Sequence, residues 1–182
     1  MTVAHESITA YLAARLDRLE AAESLRAAHN DYFYLIDAGR VDELLDLYTE
    51  NVAWSATNVP FGSGQTLRCQ GRSQVRPVLE ALGHGTFRHH GVNVDIRVSD
   101  DAATATSAAY MLVVSRSRQA ADALTLLGGL YEGTWEREVD RWRISSWRVS
   151  NQWMADGVGE AKFFDGLREG SQWDGRPRRV AP

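Results

Sequence analysis

The chain is nearly without cysteine. Cys69 is the single thiol in 182 residues, which excludes an internal disulfide framework and any zinc site built on cysteines. No recognisable His or Asp motif surrounds it that would make it a nucleophile. Basic charge is also in short supply: 20 Lys and Arg stand against 24 Asp and Glu, for a net charge of −4. That is the wrong sign for a general nucleic-acid binder, which carries a basic face or stripe. The one local basic run, GRPRR at Gly175–Arg179, reads as a solvated tail. No run of about 18 apolar residues is present to form a membrane-crossing helix. The opening segment MTVAHESITAYLAARLDRLEAAE is interrupted by Glu6, Arg15, Asp17 and Arg18, so it lacks the basic start and apolar centre of a secretory signal. A cytoplasmic location is expected. Nucleotide-binding signatures are missing as well: no GxGxxG opens a helix, there is no P-loop, and PFGSGQ (Pro60–Gln65) is a glycine loop without the required helix after it.

What the chain does have is enough apolar material, 44% hydrophobic residues with six Trp, to bury a sizeable core in one domain. One domain over residues 1–182 is expected, with a core at about 25–153 and a C-terminal extension at 154–182. Proline and glycine are absent from ITAYLAARLDRLEAAESLRAAHNDYFYLID (Ile8–Asp37). Leu12, Leu16 and Leu19 recur there at helical spacings. The run exceeds the usual helix length, so a bend is expected around Glu20–Ser24, with Gly39 as the stop. A short helix at Val41–Tyr48 then leads into a strand at Val52–Ser55. The segment rich in Pro60, Gly62, Gly64 and Gly71 reads as a loop or loose hairpin. GRSQVRPVLEALG follows as a helix with Ser73 as cap, Pro77 in its first turn and Gly83 as stop.

Beyond the helices the period changes to two. Asn93–Val98, Ala103–Ser115, Leu124–Glu138 and Trp142–Trp153 alternate apolar with polar residues, with SDD and VDR as turns. The tail is glycine-rich and reads as partly helical at Glu160–Leu167. Helices first and a meander of strands after them predict an α+β fold, with helices covering one face of a curved antiparallel sheet. Leu124, Leu126, Leu127 and Leu130 form a patch that is costly to expose, which favours self-association.

RHHGVNVDI (Arg88–Ile96) places two titratable rings side by side at the start of this sheet. They are either ordinary strand residues, or one of them is the acid or base of a pocket. Neighbours on a strand face opposite ways, so His89 and His90 cannot bind one metal ion together. His29 and His84 would have to converge on such a site from elsewhere, and no metal or other cofactor is expected.

Four ordered segments, DYFYLIDAGRVDELLDLYTENVAW, GRSQVRPVLEAL, RHHGVNVDI and YEGTWEREVDRWRISSWRV, resemble the SnoaL-like branch of the nuclear transport factor 2 superfamily. The resemblance spans roughly Leu25 to Trp153. It implies a cone-shaped fold, a strongly bent sheet wrapped around helices with a deep pocket at the open end. It also implies small-molecule chemistry of several kinds, because the family includes scytalone dehydratase, bile-acid dehydratases, polyketide cyclases and β subunits of ring-hydroxylating dioxygenases. Function therefore has to be argued from the site.

The dehydratase pattern, a Tyr and an Asp five residues later on the first helix with a His at the start of the sheet, falls on Tyr32, Asp37 and His89. His89 is preferred to His90 because Asn93 follows it at the family's spacing. His90 then faces the other side of the sheet. In this pattern His89 is the base, Asp37 fixes its ring, and Tyr32 donates to a substrate oxygen. Tyr34, Trp54, Asn93 and Tyr110 are the candidate walls and donors for substrate. Asp37 also reads as a plain helix-terminal residue, Tyr32 as one of three core aromatics in YFY, Tyr110 as sheet core, and Trp135, Trp142 and Trp147 as packing. Ile36 departs from scytalone dehydratase, which has a tyrosine there, so scytalone is not the expected substrate.

The expected activity is that of a cofactor-independent lyase or dehydratase on a hydroxylated aromatic, steroid-like or polyketide molecule, assembled as a homodimer or homotrimer. The alternatives are an isomerase or cyclase using Asp37 as proton shuttle, and a non-catalytic dioxygenase β subunit. The arginine-rich strand end in VVSRSRQAADALTLLGGLYEGTWERE is similar to such subunits.

Overall fold

A computed structural model describes residues 2–82, 87–116, 123–139 and 141–158, with side chains from Ile8 onward. Gly83, His84, the expected helix at Glu160–Leu167 and the GRPRR run lie outside the described residues. Helix α1 (Thr2–Asp37) is a single unbroken rod of 36 residues, about 54 Å long at the usual helical rise. The bend expected at Glu20–Ser24 does not occur. That stretch holds no Pro or Gly to interrupt the ladder, and Ala21 and Leu25 beside it are already buried in the core. The stop at Gly39 is as expected. Its φ is 66°, Gly39 N–H donates to the Ile36 carbonyl and Arg40 N–H to the Leu35 carbonyl. This paired arrangement closes a helix with glycine in the left-handed region.

Helix α2 (Val41–Leu45) is only five residues long. Strand β1 (Tyr48–Thr57) begins earlier than expected, so Tyr48 belongs to the sheet. β2 (Thr66–Gln70) forms inside the glycine-rich segment and pairs back on β1. In α3 (Arg72–Leu82) Ser73 lies within the helix and Pro77 in its second turn, not at the cap and first turn. The shift follows from Gly71, whose carbonyl already accepts from Gln74 and Val75. Strands β3 (Phe87–Val98), β4 (Thr104–Arg116), β5 (Leu124–Glu138) and β6 (Arg141–Val158) complete the sheet.

The six strands lie in the order β2-β1-β6-β5-β4-β3 in a curved, unclosed sheet. The sheet is antiparallel as expected, with one parallel pair, β1 and β6. The connection from β1 to β6 passes through α3 and four further strands, ample length for a parallel crossover.

One face of the sheet is dry. Along β4 the buried positions are Ala105, Ser107, Ala109, Met111, Val113 and Ser115, every second residue. Tyr131 and Trp135 on β5 and Ile144 and Trp147 on β6 continue that face. The second half of α1 packs on it with Leu25, Tyr32, Phe33 and Ile36, while Val75 and Leu79 of α3 bury against the remainder of the core. The approach of α1 to β3 is close enough to require glycine at position 91: a Cβ there would lie 2.3 Å from Phe33 Cε2. At the opposite end of the sheet two ion pairs tie α1 down, Arg137–Asp17 at 2.9 Å and Arg18–Asp100 at 3.2 Å.

Candidate functional site

Asp37 is the last residue of α1, and the glycine stop fixes where its side chain emerges. There it meets β3. The carboxylate lies 2.6 Å from His89 Nδ1 through Oδ1, and it accepts the backbone N–H of His89 at 3.2 Å on Oδ1 and 3.0 Å on Oδ2. Both side chains are buried, 8% and 6% exposed. An ionised carboxylate only accepts, so Nδ1 carries the ring proton and Nε2 is left as the basic nitrogen. One carboxylate thus locks helix to strand and sets the histidine tautomer together.

His89 pairs with the inward Val113, and His90 with the half-buried Leu112 of the opposite face. The two histidines divide as strand alternation requires.

Tyr32 lies one helical turn and a half before Asp37, only 2% exposed. Its ring centroid is 4.6 Å from that of Trp147 and 6.1 Å from that of Tyr131. Burial pushes its pKa up to about 12, with the Asp37 charge adding to the rise and the Tyr48 hydroxyl and Trp147 indole easing it. The group is therefore a neutral phenol, able to donate. Tyr48 and Tyr131 are raised well above the ordinary phenol value, first by burial. For Tyr131 the Asp37 charge contributes as well.

The Tyr32 hydroxyl is within reach of the Tyr48 hydroxyl and the Trp147 indole, and Tyr48 in turn of the Trp54 indole, whereas both ring nitrogens of His29 are buried without a hydrogen-bond partner. An unsatisfied buried group of this kind normally costs about 1–3 kcal/mol, which sets His29 apart from its paired neighbours. His29 packs between Phe33 and Trp147, at 5.1 and 5.4 Å between centroids. Burial lowers its pKa to about 4, which keeps it neutral.

The residues expected to bind substrate separate into two groups. Trp54 is buried on β1, beside Trp147 in the sheet register. Tyr34 is half-buried on α1, some 200° around the helix from Tyr32. Tyr110 is 57% exposed on the outer face, a correction to its expected place in the pocket. Its strand neighbours Ala109 and Met111 take the inner positions, so alternation turns Tyr110 outward. Asn93 is exposed too. It sits at a β-bulge between Val92 and Asp95 with φ 55°, a backbone position that asparagine tolerates.

Tyr48, Tyr131 and His29 pack against Tyr32 or Trp147, and the family pattern does not indicate them. The alternation of β5 groups Tyr131 with Trp135, which is the one signal in the sequence that points to it.

The outer face carries its own feature, an open groove of about 370 Å³ crossing four strands, lined by Asp95, Arg97, Thr106, Glu132, Thr134 and Arg148 among others. It lies on the other side of the sheet from His89 and Asp37. Its charges are already paired, Arg97–Asp95 at 2.9 Å and Arg148–Glu132 at 3.5 Å. Among the described residues no group of three His, Cys, Asp or Glu side chains is placed to hold a metal ion. No described helix is long and apolar enough to cross a membrane.

Comparison with known proteins agrees with this architecture. A protein from Novosphingobium aromaticivorans DSM 12444, provisionally named a scytalone dehydratase, superposes with a TM-score of 0.65 at 22% identity, over 84% of this chain and 98% of its own. The hexachlorocyclohexane dehydrochlorinase LinA-type3 from Novosphingobium barchaimii LL02 gives 0.66 at 17% identity, over 82% and 98%. The β subunit of a provisionally named aromatic-ring-hydroxylating dioxygenase from N. aromaticivorans gives 0.61 at 14% identity, over 75% and 92%. At these identities the likeness is one of fold. No curated protein matches the sequence. The family model of the SnoaL-like domain matches residues 17–148, and the chain belongs to that family.

Proposed function

We propose that the protein is a cofactor-independent lyase of the dehydratase type, acting on a hydroxylated aromatic, steroid-like or polyketide-like small molecule. The observation that carries this reading is the buried Asp37–His89 pair, with ring Nδ1 2.6 Å from the carboxylate. His89 Nε2 takes the proton from the carbon next to a carbonyl or phenol. Tyr32, held neutral by burial, donates to the oxygen on which charge develops. The C–O bond to the β-hydroxyl then breaks, and the imidazolium returns its proton to the departing hydroxide, so water leaves and His89 is regenerated. Asp37 stabilises the imidazolium between the two transfers. Tyr48, Tyr131 and Trp147 pack around the Tyr32 ring and fix where its hydroxyl sits.

The same carboxylate argues against an isomerase or cyclase in which Asp37 itself shuttles the proton, because its oxygens already accept two N–H groups of His89. Self-association of a cytoplasmic enzyme is part of the reading, supported by exposed Val92, Tyr110 and Trp153 on the outer sheet face. A dioxygenase β subunit would use that face for a larger partner and leave the dyad idle.

A thermal-shift titration against phenolic ketones, sterols and polyketide-like hydroxyketones, followed by turnover assays on the binders, tests the proposal. A saturable rise in melting temperature together with release of water from at least one binder is expected. Binding without turnover, or no binding across the panel, would remove the lyase reading in favour of the subunit one.

A further inference from the structure

The leucines whose spacing marks α1 as a helix do not face the core. Ile8, Tyr11, Leu12, Leu16 and Leu19 are each 55–61% exposed, and every residue from Ile8 to Leu16 is exposed. Asp17 and Arg18 of α1 pair with Arg137 and Asp100 of the sheet, and among the described residues the first buried one is Ala21. The match to the family begins at the same point, residue 17. Residues 8–16 of α1 thus stand clear of the sheet.

A helix of this length standing alone in water is marginal, and its apolar side chains run along one face: Ile8, Leu12, Leu16 and Leu19 at steps of four, four and three, with Tyr11 alongside. From their fractional exposure they present roughly 600 Å², beyond the few hundred that a monomer usually leaves open and near the ~800 Å² per partner of a stable interface. Ile8–Ala14 carries no charge, so the complementary surface is itself apolar. A lipid surface fits poorly, because interfacial helices are rich in Lys and Arg whereas here Arg15, Arg18 and Arg26 are matched by Asp17, Glu20 and Glu23. The described chain leaves the sheet at Val158, beside Leu124, at the end opposite the Asp17 and Arg18 anchors.

We infer that the stripe Ile8–Leu19 docks against the same stripe of a second copy of this chain, forming a two-fold helix pair. The pair is separate from the outer sheet face and does not depend on the catalytic reading. Each face supplies what the other needs, as an isologous contact requires.

Sedimentation equilibrium of the full chain, wild type against Leu12→Glu/Leu16→Glu, tests this directly. Both substitutions are at exposed positions in a good helix context, so far-UV circular dichroism of the sheet should be retained. The expected result is an even-numbered wild-type particle whose mass halves in the double variant. Hydrogen exchange gives a second reading that needs no variant: amides of residues 8–16 should be protected at least 10-fold more at high protein concentration than at low. A monomeric wild type, a particle mass unchanged by the double substitution, or exchange at residues 8–16 independent of concentration would each overturn the inference.

Discussion

The carboxylate of Asp37 accepts both N–H groups of one residue, the ring Nδ1–H of His89 at 2.6 Å and its backbone N–H at 3.0 and 3.2 Å. Helix end and strand start are joined by this single side chain, so it serves the fold and orients the candidate base together. Asp37→Asn keeps the size but loses the charge, and an amide can offer only one accepting oxygen. The expectation is a fall in turnover of ~10²–10⁴-fold. Rescue by Asp37→Glu should be poor, because an extra methylene displaces the chelate. Nitrogen-15 shifts of the His89 ring provide the check: wild type should show protonated Nδ1, and the asparagine variant a mixed tautomer.

Tyr32→Phe separates chemistry from packing. The ring remains against Trp147, so stability should change by no more than ~1.5 kcal/mol, while turnover should fall ~10²-fold if the hydroxyl holds the developing oxyanion. Chemical denaturation and steady-state kinetics on the same preparation measure the two effects. Tyr110→Ser is the matched control: with its side chain on the outer face, turnover should stay within twofold.

Gly91→Ala should destabilise by ~1–3 kcal/mol, the usual cost of overpacking, because the new methyl meets the Phe33 ring. Phe33→Leu should relieve part of that clash. The two changes together should then cost less than the sum of their separate effects, as read from urea midpoints. Additive costs would mean that α1 does not rest on β3 at this point.

His29 makes stability depend on acid. Its pKa is about 4 in the folded protein against 6.5 when free, so the unfolded chain binds the proton more readily. The associated stability is fully present above pH 6.5, declines as pH falls from 6.5 to 4, and is lost below. At 1.36 kcal/mol per pK unit the total is about 3 kcal/mol. His29→Leu should flatten this part of the pH–stability curve, measured by urea unfolding between pH 4 and 7, and should leave the neutral-pH stability equal or higher because two unpartnered nitrogens disappear.

Some of this molecule can be read directly from the sequence. The stop at Gly39 follows from a glycine after a long proline-free run, and the inward His89 with outward His90 follows from strand alternation. The family pattern points to Tyr32, Asp37 and His89, which the fold brings to one face. Other features depend on contacts distant along the chain. Tyr48 lies at the end of DELLDLY, helical in pattern, yet its pairing with Ile144 in β6 draws it into the sheet. The bulge at Asn93 adds a residue to β3 and breaks the count of two, so no spacing from His89 predicts which way Asn93 faces. Tyr110 has strong strand propensity but no local mark of its face. The leucine stripe of α1 gives the clearest helical signal in the chain, and periodicity alone does not reveal that it faces away from the sheet.

The central claim is that His89, held by Asp37, is the proton-transferring base of an elimination. Its most direct test is His89→Gln, which preserves a polar side chain of similar reach but cannot act as a base. Turnover of wild type and variant is compared on any substrate found by the binding panel, with folded state and ligand affinity measured in parallel. The expected loss is ~10²–10⁴-fold in kcat with ligand affinity changed little. A variant that turns over at the wild-type rate, folded and saturated with substrate, would contradict it.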